Sequence, residues 1–490
     1  MCALVLFFAQ APRAAAGKYF DFSPAARDAY YKTISLRLLE ARAALDAMKQ
    51  SEPDNLMATF VENYHDFLSI IIEDDRAAYN RLSKNMDARL AKIARGDRSS
   101  PYYLYTQAEI RFQWAVLRGR FGDQLSSLSD IKQGYALLEE NQRKHPYFVA
   151  NKKSLGFIHA LVGNVPDDYR WALRAAGGMS GTVEQGLREL DEVLAYARNN
   201  DFVFEEETLV AYSFLQLYLN NQDGKAWNTL KNSKLNPKTS PLAAYALANV
   251  ALKTGRTDEA VRIIQEAPAD ANYHPFLYRH YLLGLAKLCR LDGDANVPLQ
   301  TFVNNFKGQS GIKDAYQKLA WYHLVNGNES GYRTYIGYAK IKGTDLIEPD
   351  KAAFREAKSG EMPDPLLTKA RLLFDGGYYQ RAYDLLKNAA PSYAGNRKNS
   401  LEHTYRMGRI AHKMGKTAEA IRFYSQTADT GAREPWYFAC NAALQLGLLY
   451  EEKKDAKNAR AAFSRCLGIS PDEYAISLHA KAKAGLNRLK

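Results

Sequence analysis

The chain has 490 residues, 47% of them hydrophobic and 24% charged, with a formal net charge of +12. That length is beyond what one core can serve, so the chain must be several domains or a quasi-linear array; its 17 prolines and scattered glycines exclude a long disordered linker. The positive charge gathers at the C-terminal end, where residues 391–490 hold 17 Lys and Arg against 9 Asp and Glu, yet there is no long basic run and no nucleic-acid module, so no specific nucleic-acid partner is expected.

In chain order, residues 3–9 read ALVLFFA, an apolar run too short to span a bilayer. Ala14-Ala15-Ala16 and Gly17-Lys18 follow it, giving the apolar region and cleavage site of a secretory signal without the basic residues that should come first. Residues 1–16 are therefore expected to be a truncated signal peptide, exporting the protein to a periplasm or cell envelope. Without such a signal it would be cytoplasmic.

Residues 17–220 read as an N-terminal helical-repeat region. Ser23-Pro24 supply an N-cap and an N1 proline, and Ile34, Leu38, Ala41, Leu45 and Met48 recur at steps of four and three, predicting one helix to Lys49. Further helices are predicted through Phe60, Tyr64 and Ile71, from Asp74-Asp75 to about Ala94, from Tyr102 to Leu117, and from Asp123 to Lys144. The stretch 155–190 breaks this rhythm. Gly163-Asn164 should end a helix, a short helix should carry Tyr169, Trp171 and Leu173, and Gly181-Thr182 should open another. These glycines lack the spacing and the lysine of a phosphate-binding loop, so capping and close helix packing explain them. Gly156, Pro166, Gly178-Met179-Ser180-Gly181 and Glu184-Gln185-Gly186-Leu187 together resemble the central segment of the family of the yeast inclusion-body clearance protein and the tetratricopeptide repeat protein 39 group, over about residues 150–220. That resemblance implies a helical-repeat adaptor without catalytic residues; a signal peptide would depart from those intracellular proteins. The acidic triplet Glu205-Glu206-Glu207 suits a helix N-terminus.

Residues 221–340 read as middle repeats, with pairs turning at Gly255, Gly293 and Gly327. Lys340 to Pro365, polar and proline-bearing, is the expected hinge between two superhelical halves. Residues 366–490 are the C-terminal repeats, capped by a helix from Asp472 to about Leu486. Here GRIAHKMGKTAEAIRFY (408–424) aligns with GLLYEEKKDAKNARAAF (447–463): Gly408 with Gly447, Gly415 with Lys454, Ala420 with Ala459, Tyr424 with Phe463. Small residues where two helices touch and a large one closing the pair resemble successive tetratricopeptide repeats. The spacings, 38 residues from Ala370 to Gly408 and 39 to Gly447, exceed the usual period of about 34. The expected fold is all-α, an antiparallel helix-pair α-solenoid.

No catalytic constellation emerges, and neither a cofactor nor a metal is expected. Glu62 and His65 share a helix face, but a di-metal bundle site needs a second such motif and two more carboxylates. His403 and His412 lie on different turns. Cys440 and Cys466 could meet, and are expected to be free thiols packed as small hydrophobes. A solenoid presents one helix of each pair to a long groove, which suits an extended peptide or a helix. The candidate groove residues are Tyr405, Arg409, His412, Asn441, Gln445 and Leu448, with Tyr245 and Asn249 upstream. The expected function is a non-enzymatic scaffold or adaptor that binds a protein or peptide. The alternatives are an envelope-associated binder of glycans or lipids, for which exposed Trp or Tyr platforms on long loops would speak, and an enzyme with a buried polar cluster.

Overall fold

The computed structural model describes residues 17–165 and 178–489, and these are helical apart from turns and one isolated bridge between Tyr19 and Asn55. The expected signal peptide and the short helix around Trp171 lie outside the described residues. The first eight helices are α1 (Pro24–Ile34), α2 (Leu38–Ser51), α3 (Met57–Glu73), α4 (Arg76–Leu82), α5 (Asn85–Ile93), α6 (Pro101–Arg120), α7 (Gln124–Lys144) and α8 (Val149–Gly163). Two predicted helices are each split in two. Leu36, at φ 61°, breaks the first between α1 and α2, and its carbonyl accepts the His274 N–H at 2.7 Å. A contact with a loop far along the chain thus overrides helical spacing that looked continuous. Likewise, the segment after Asp75 forms α4 and α5 rather than one helix.

After residue 178 come α9 (Val183–Ala197), α10 (Glu205–Tyr218), α11 (Asp223–Lys231), α12 (Pro241–Lys253), α13 (Thr257–Glu266), α14 (Tyr278–Arg290), α15 (Asn296–Asn305), α16 (Ile312–Val325) and α17 (Glu329–Ile341). Helices α8 and α9 cross so closely that a Cβ on Gly186 would overlap the Gly156 carbonyl, which is the packing role expected of these glycines. The pairs α12–α13 and α16–α17 turn at Gly255 and Gly327, both at positive φ, as the sequence predicts.

The expected hinge is not a bare linker. It carries α18 (Glu348–Ser359), whose Asp350, Ala353 and Glu356 recur every three residues and so share a face. Asp350 accepts the N–H groups of Gly311 (2.7 Å) and Asp314 (3.0 Å) at the start of α16. Glu356 accepts from Trp321 Nε1 at 2.8 Å and Gln317 Nε2 at 2.6 Å. The polar residues that suggest a solvated hinge are the ones that dock the helix.

The C-terminal region comprises α19 (Pro365–Asp375), α20 (Tyr379–Leu386), α21 (Arg397–Lys413), α22 (Thr417–Gly431), α23 (Phe438–Glu452), α24 (Ala456–Leu467) and the capping α25 (Ala475–Arg488). It joins the middle repeats through α19, which packs on α14 and α16. Thr257 Oγ1 donates to the Gly376 carbonyl at 2.8 Å, and the α19–α20 turn lies against the α12–α13 turn. Gly377, at φ +85°, leaves no room for a Cβ beside the Gly255 carbonyl.

Two predictions follow from this packing. Gly377→Ala should cost about 2 kcal/mol or more in chemical denaturation, because it adds a clash to an unfavourable φ. Gly415→Ala has a similar φ of +72° but open space, and should lose only about 1 kcal/mol. Equal losses would deny that the two turns touch. The second concerns Asp66, 3% exposed, which accepts from Arg89 Nη2 at 2.6 Å and Asn85 Nδ2 at 3.0 Å. Burial favours its neutral form, but the neighbouring His65 ring, the Arg89 charge and the hydrogen bonds from Arg89 and Asn85 outweigh burial and lower its pKa from 3.8 to about 2. The unfolded chain therefore takes up this proton first, and the stabilisation is lost as pH falls from about 3.8 towards 2. Asp66→Asn should be about 2 kcal/mol less stable than wild type at pH 7, with the gap narrowing across that window. A gap independent of pH would contradict it.

Candidate functional site

The geometry of the C-terminal pairs begins with one repeated contact. A Cβ on Gly408 would lie 2.7 Å from a Tyr424 ring carbon, and one on Gly447 would overlap the Phe463 ring. The last two pairs, α21–α22 and α23–α24, are thus each closed by an aromatic of the second helix seated on a glycine of the first. The turns also correspond, with Gly415 at φ +72° and Lys454 at φ +60°. This leaves the first helices α19, α21 and α23 and the cap α25 packed side by side, each on the next.

Between them lies a cavity of about 310 Å³. Tyr405, on its wall, is 2% exposed overall. Its hydroxyl oxygen accepts from Arg409 Nη1 at 2.9 Å and from Asn441 Nδ2 at 2.7 Å. Gln445 Nε2 donates to Asn441 Oδ1 at 3.2 Å, which fixes the Asn441 amide. Four predicted residues, Tyr405, Arg409, Asn441 and Gln445, therefore form one network, and the first three line the cavity. Burial disfavours the Arg409 charge, and the hydrogen bond to Tyr405 and the nearby Asp375 offset that cost.

The other candidates sit elsewhere. His412 turns to the Tyr424 hydroxyl at 3.3 Å, and burial lowers its pKa below the usual imidazole value, so it brings no charge. Leu448, in register with Arg409, packs against the last core. Tyr245 packs edge-on to Phe276 with ring centroids 5.1 Å apart, and Asn249 accepts from the Tyr218 hydroxyl at 3.0 Å, both among the middle repeats.

Sequence reasoning missed Arg371, Phe374, Arg406, Tyr437, Tyr474 and Lys481 on the cavity wall. For Arg371 a signal was present: with Ala370 aligned on Gly408, Arg371 occupies the register of Arg409. The two arginines are held alike. Arg371 lies over the Trp321 ring at 4.6 Å and Arg409 over the Phe374 ring at 4.8 Å, each aromatic belonging to another first helix. Tyr474 and Lys481 come from the cap, and Arg355 of α18 donates to the Tyr474 hydroxyl at 3.1 Å.

The remaining chemistry-bearing groups serve packing. Glu62 pairs with Lys49, and His65 Nε2 lies 3.2 Å from the Leu38 carbonyl. His403 Nε2 lies 2.9 Å from the Leu386 carbonyl. Cys440 and Cys466 meet with their sulfurs 3.6 Å apart, both buried and unbonded. Trp114, Trp227 and Trp321 are buried, and Trp436 is partly buried against the last core, so none of these forms an exposed platform. Glu207, expected only to favour a helix start, belongs to a buried cluster. Lys153 Nζ lies 2.9 Å from both Glu109 and Glu207 and 4.8 Å from the Phe204 ring centroid, while Tyr30 and Tyr64 bond to Glu207. Burial opposes the Lys153 charge, but the two carboxylates hold it protonated. These groups satisfy one another and tie α1, α3, α6, α8 and α10 together. A second, largely apolar cavity of about 710 Å³ lies between α2, α3 and the loop 268–277, and Phe276 on its wall is the ring against which Tyr245 packs.

Comparison with known proteins gives one family match: residues 441–473, spanning α23 and α24, fit the tetratricopeptide repeat. No curated protein sequence matches the chain, so the resemblance of residues 150–220 to the tetratricopeptide repeat protein 39 group has no counterpart there. Among solved structures, the crystal structure of the APC/C hetero-tetramer Cut9-Hcn1 is 15% identical, with 94% of this chain and 99% of that chain covered and a TM-score of 0.27. At that TM-score nothing about this chain is inferred from it. The chain is an all-α helix-pair solenoid that carries a tetratricopeptide repeat at residues 441–473.

Proposed function

We propose that this protein is a non-enzymatic scaffold that binds another protein or peptide along the wall formed by α19, α21, α23 and α25. The observation that carries the reading is the Tyr405 network. Polar side chains from α21 and α23 are fixed to one another beside an open cavity, rather than dispersed over a solvated surface. A wall built this way offers prearranged hydrogen-bonding groups at little conformational cost, which favours binding of an extended segment. The tetratricopeptide repeat at residues 441–473 supports a protein-interaction role.

Photo-crosslinking tests this directly. A photoreactive residue placed at Ser477, on the cavity wall, should capture a discrete partner in the native cells. The same residue at Lys457, exposed on α24, should not. Tyr405→Ala with Arg409→Ala should abolish capture from position 477 while leaving helix content unchanged by circular dichroism. Equal capture from both positions, or capture that survives the double substitution, would overturn the reading.

A further inference from the structure

The larger of the two cavities described above, about 710 Å³, lies between α2, α3, the loop 268–277 and the start of α14. Its volume falls in the roughly 300–1,000 Å³ range of sites that enclose a small molecule. Leu38 and Leu39 of α2 face Pro268, Ala269, Pro275 and Phe276 of the loop across it. The loop is pinned by polar contacts rather than collapsed onto the helices. The His274 N–H donates to the Leu36 carbonyl at 2.7 Å, the Tyr273 hydroxyl to the Thr239 carbonyl at 3.2 Å, and Arg279 Nη1 to the Pro268 carbonyl at 3.3 Å. The two prolines further restrict the backbone. Apolar side chains held around a space forgo the contacts that packing would give, and a ligand filling that space would restore them. Leu39, on the wall, is 80% exposed, so the cavity opens to solvent there.

The charged groups on this wall are unevenly paired. Its one acid, Asp270, accepts the Asn272 N–H at 2.9 Å within the loop. Arg42 lies 4.0 Å from Glu62 and 3.9 Å from Asp66, and both acids have closer partners in Lys49 and Arg89. Arg279 is half-buried, and its guanidinium bonds only to the Pro268 carbonyl among the described residues. No carboxylate among them pairs with it, and burial lowers its pKa without an opposing charge. His280 beside it has no side-chain hydrogen-bond partner among the described residues; burial and the Arg279 charge lower its pKa below the usual imidazole value, leaving a neutral ring with an N–H to give. A guanidinium on an apolar wall with most of its fork free suits an anion that brings its own apolar body.

We propose that this cavity binds a fatty acid, a single carboxylate on an unbranched apolar tail. The site is separate from the wall of α19, α21, α23 and α25, and the proposal does not depend on what that wall binds. The carboxylate would accept from Arg279 and the His280 ring, with Arg42 adding charge, and the tail would cover Leu38, Leu39, Pro275 and Phe276. A planar carboxylate matches the guanidinium fork. Its single charge is what one unpaired arginine can neutralise, whereas the greater charge of a phosphate monoester would be opposed by Asp270.

The test is displacement of a fluorescent analogue, undecanoic acid carrying a dansyl group at the far end of its tail, from the full chain. The competitors are dodecanoate, dodecanol and dodecyl phosphate, each below micelle formation. Dodecanoate should displace the probe, and dodecanol, with the same tail and no charge, should do so at least about tenfold less well. Arg279→Gln should weaken dodecanoate by about tenfold and leave dodecanol within about twofold. Lys457→Gln on α24, a charge loss away from the cavity, should change neither by more than about twofold. Failure of the probe to bind, equal displacement by dodecanoate and dodecanol, or an Arg279→Gln effect no larger than that of Lys457→Gln would each overturn the proposal. If dodecyl phosphate displaces the probe better than dodecanoate, the site takes a phosphate headgroup and the carboxylate assignment falls. If Arg279→Gln loses helix content by circular dichroism, Ala269→Trp decides instead. It fills the space from an exposed loop position and should abolish probe binding; undiminished binding would put the ligand elsewhere.

Discussion

The contact on which the C-terminal architecture depends is the seating of Tyr424 on Gly408 and of Phe463 on Gly447. It has no polar component and no chemistry. Its effect is to set how close the two helices of a pair can come, and through that how the next pair must lie. Arg371 and Arg409, 38 positions apart, line one cavity, and each lies over an aromatic ring of another first helix. A larger residue at Gly408 would push the aromatic out and change the register of the wall.

Charge is handled differently in the two ends of the molecule. In the N-terminal region Lys153 is sealed beneath aromatic rings between two glutamates, and every member has a partner. Such a cluster is costly to break and contributes little if left intact, since desolvation offsets much of the ion-pair gain. In the C-terminal cavity, cations stand over aromatic rings with partners missing or loose. The first arrangement locks helices together; the second leaves hydrogen-bonding capacity for something outside the chain.

Much of this was legible in the sequence. The pairing of small residue, turn and closing aromatic located the C-terminal repeats, and Gly255 and Gly327 marked turns in the middle region. Tyr405, Arg409, Asn441 and Gln445 were identified and do form one network. Long-range contacts were the part that periodicity could not show. The break at Leu36 is set by a loop some 240 residues later, and α18 is a helix because its Asp350 and Glu356 meet the start and middle of α16. Neither partner is visible in the local pattern. His412 and Leu448 lie off the cavity wall: the His412 ring turns to the Tyr424 hydroxyl, and Leu448 packs against the last core although it occupies the repeat position of Arg409. Arg371 could have been found by carrying the repeat register one pair upstream.

The most direct test of the account is a single atom. Tyr405→Phe removes the hydroxyl that accepts from Arg409 and Asn441 and keeps the ring that packs on Phe438. Partner capture from position 477 should fall sharply, with the thermal midpoint changed by no more than a few degrees. Undiminished capture would show that the network is structural, and would contradict the view that it is arranged to hold a partner.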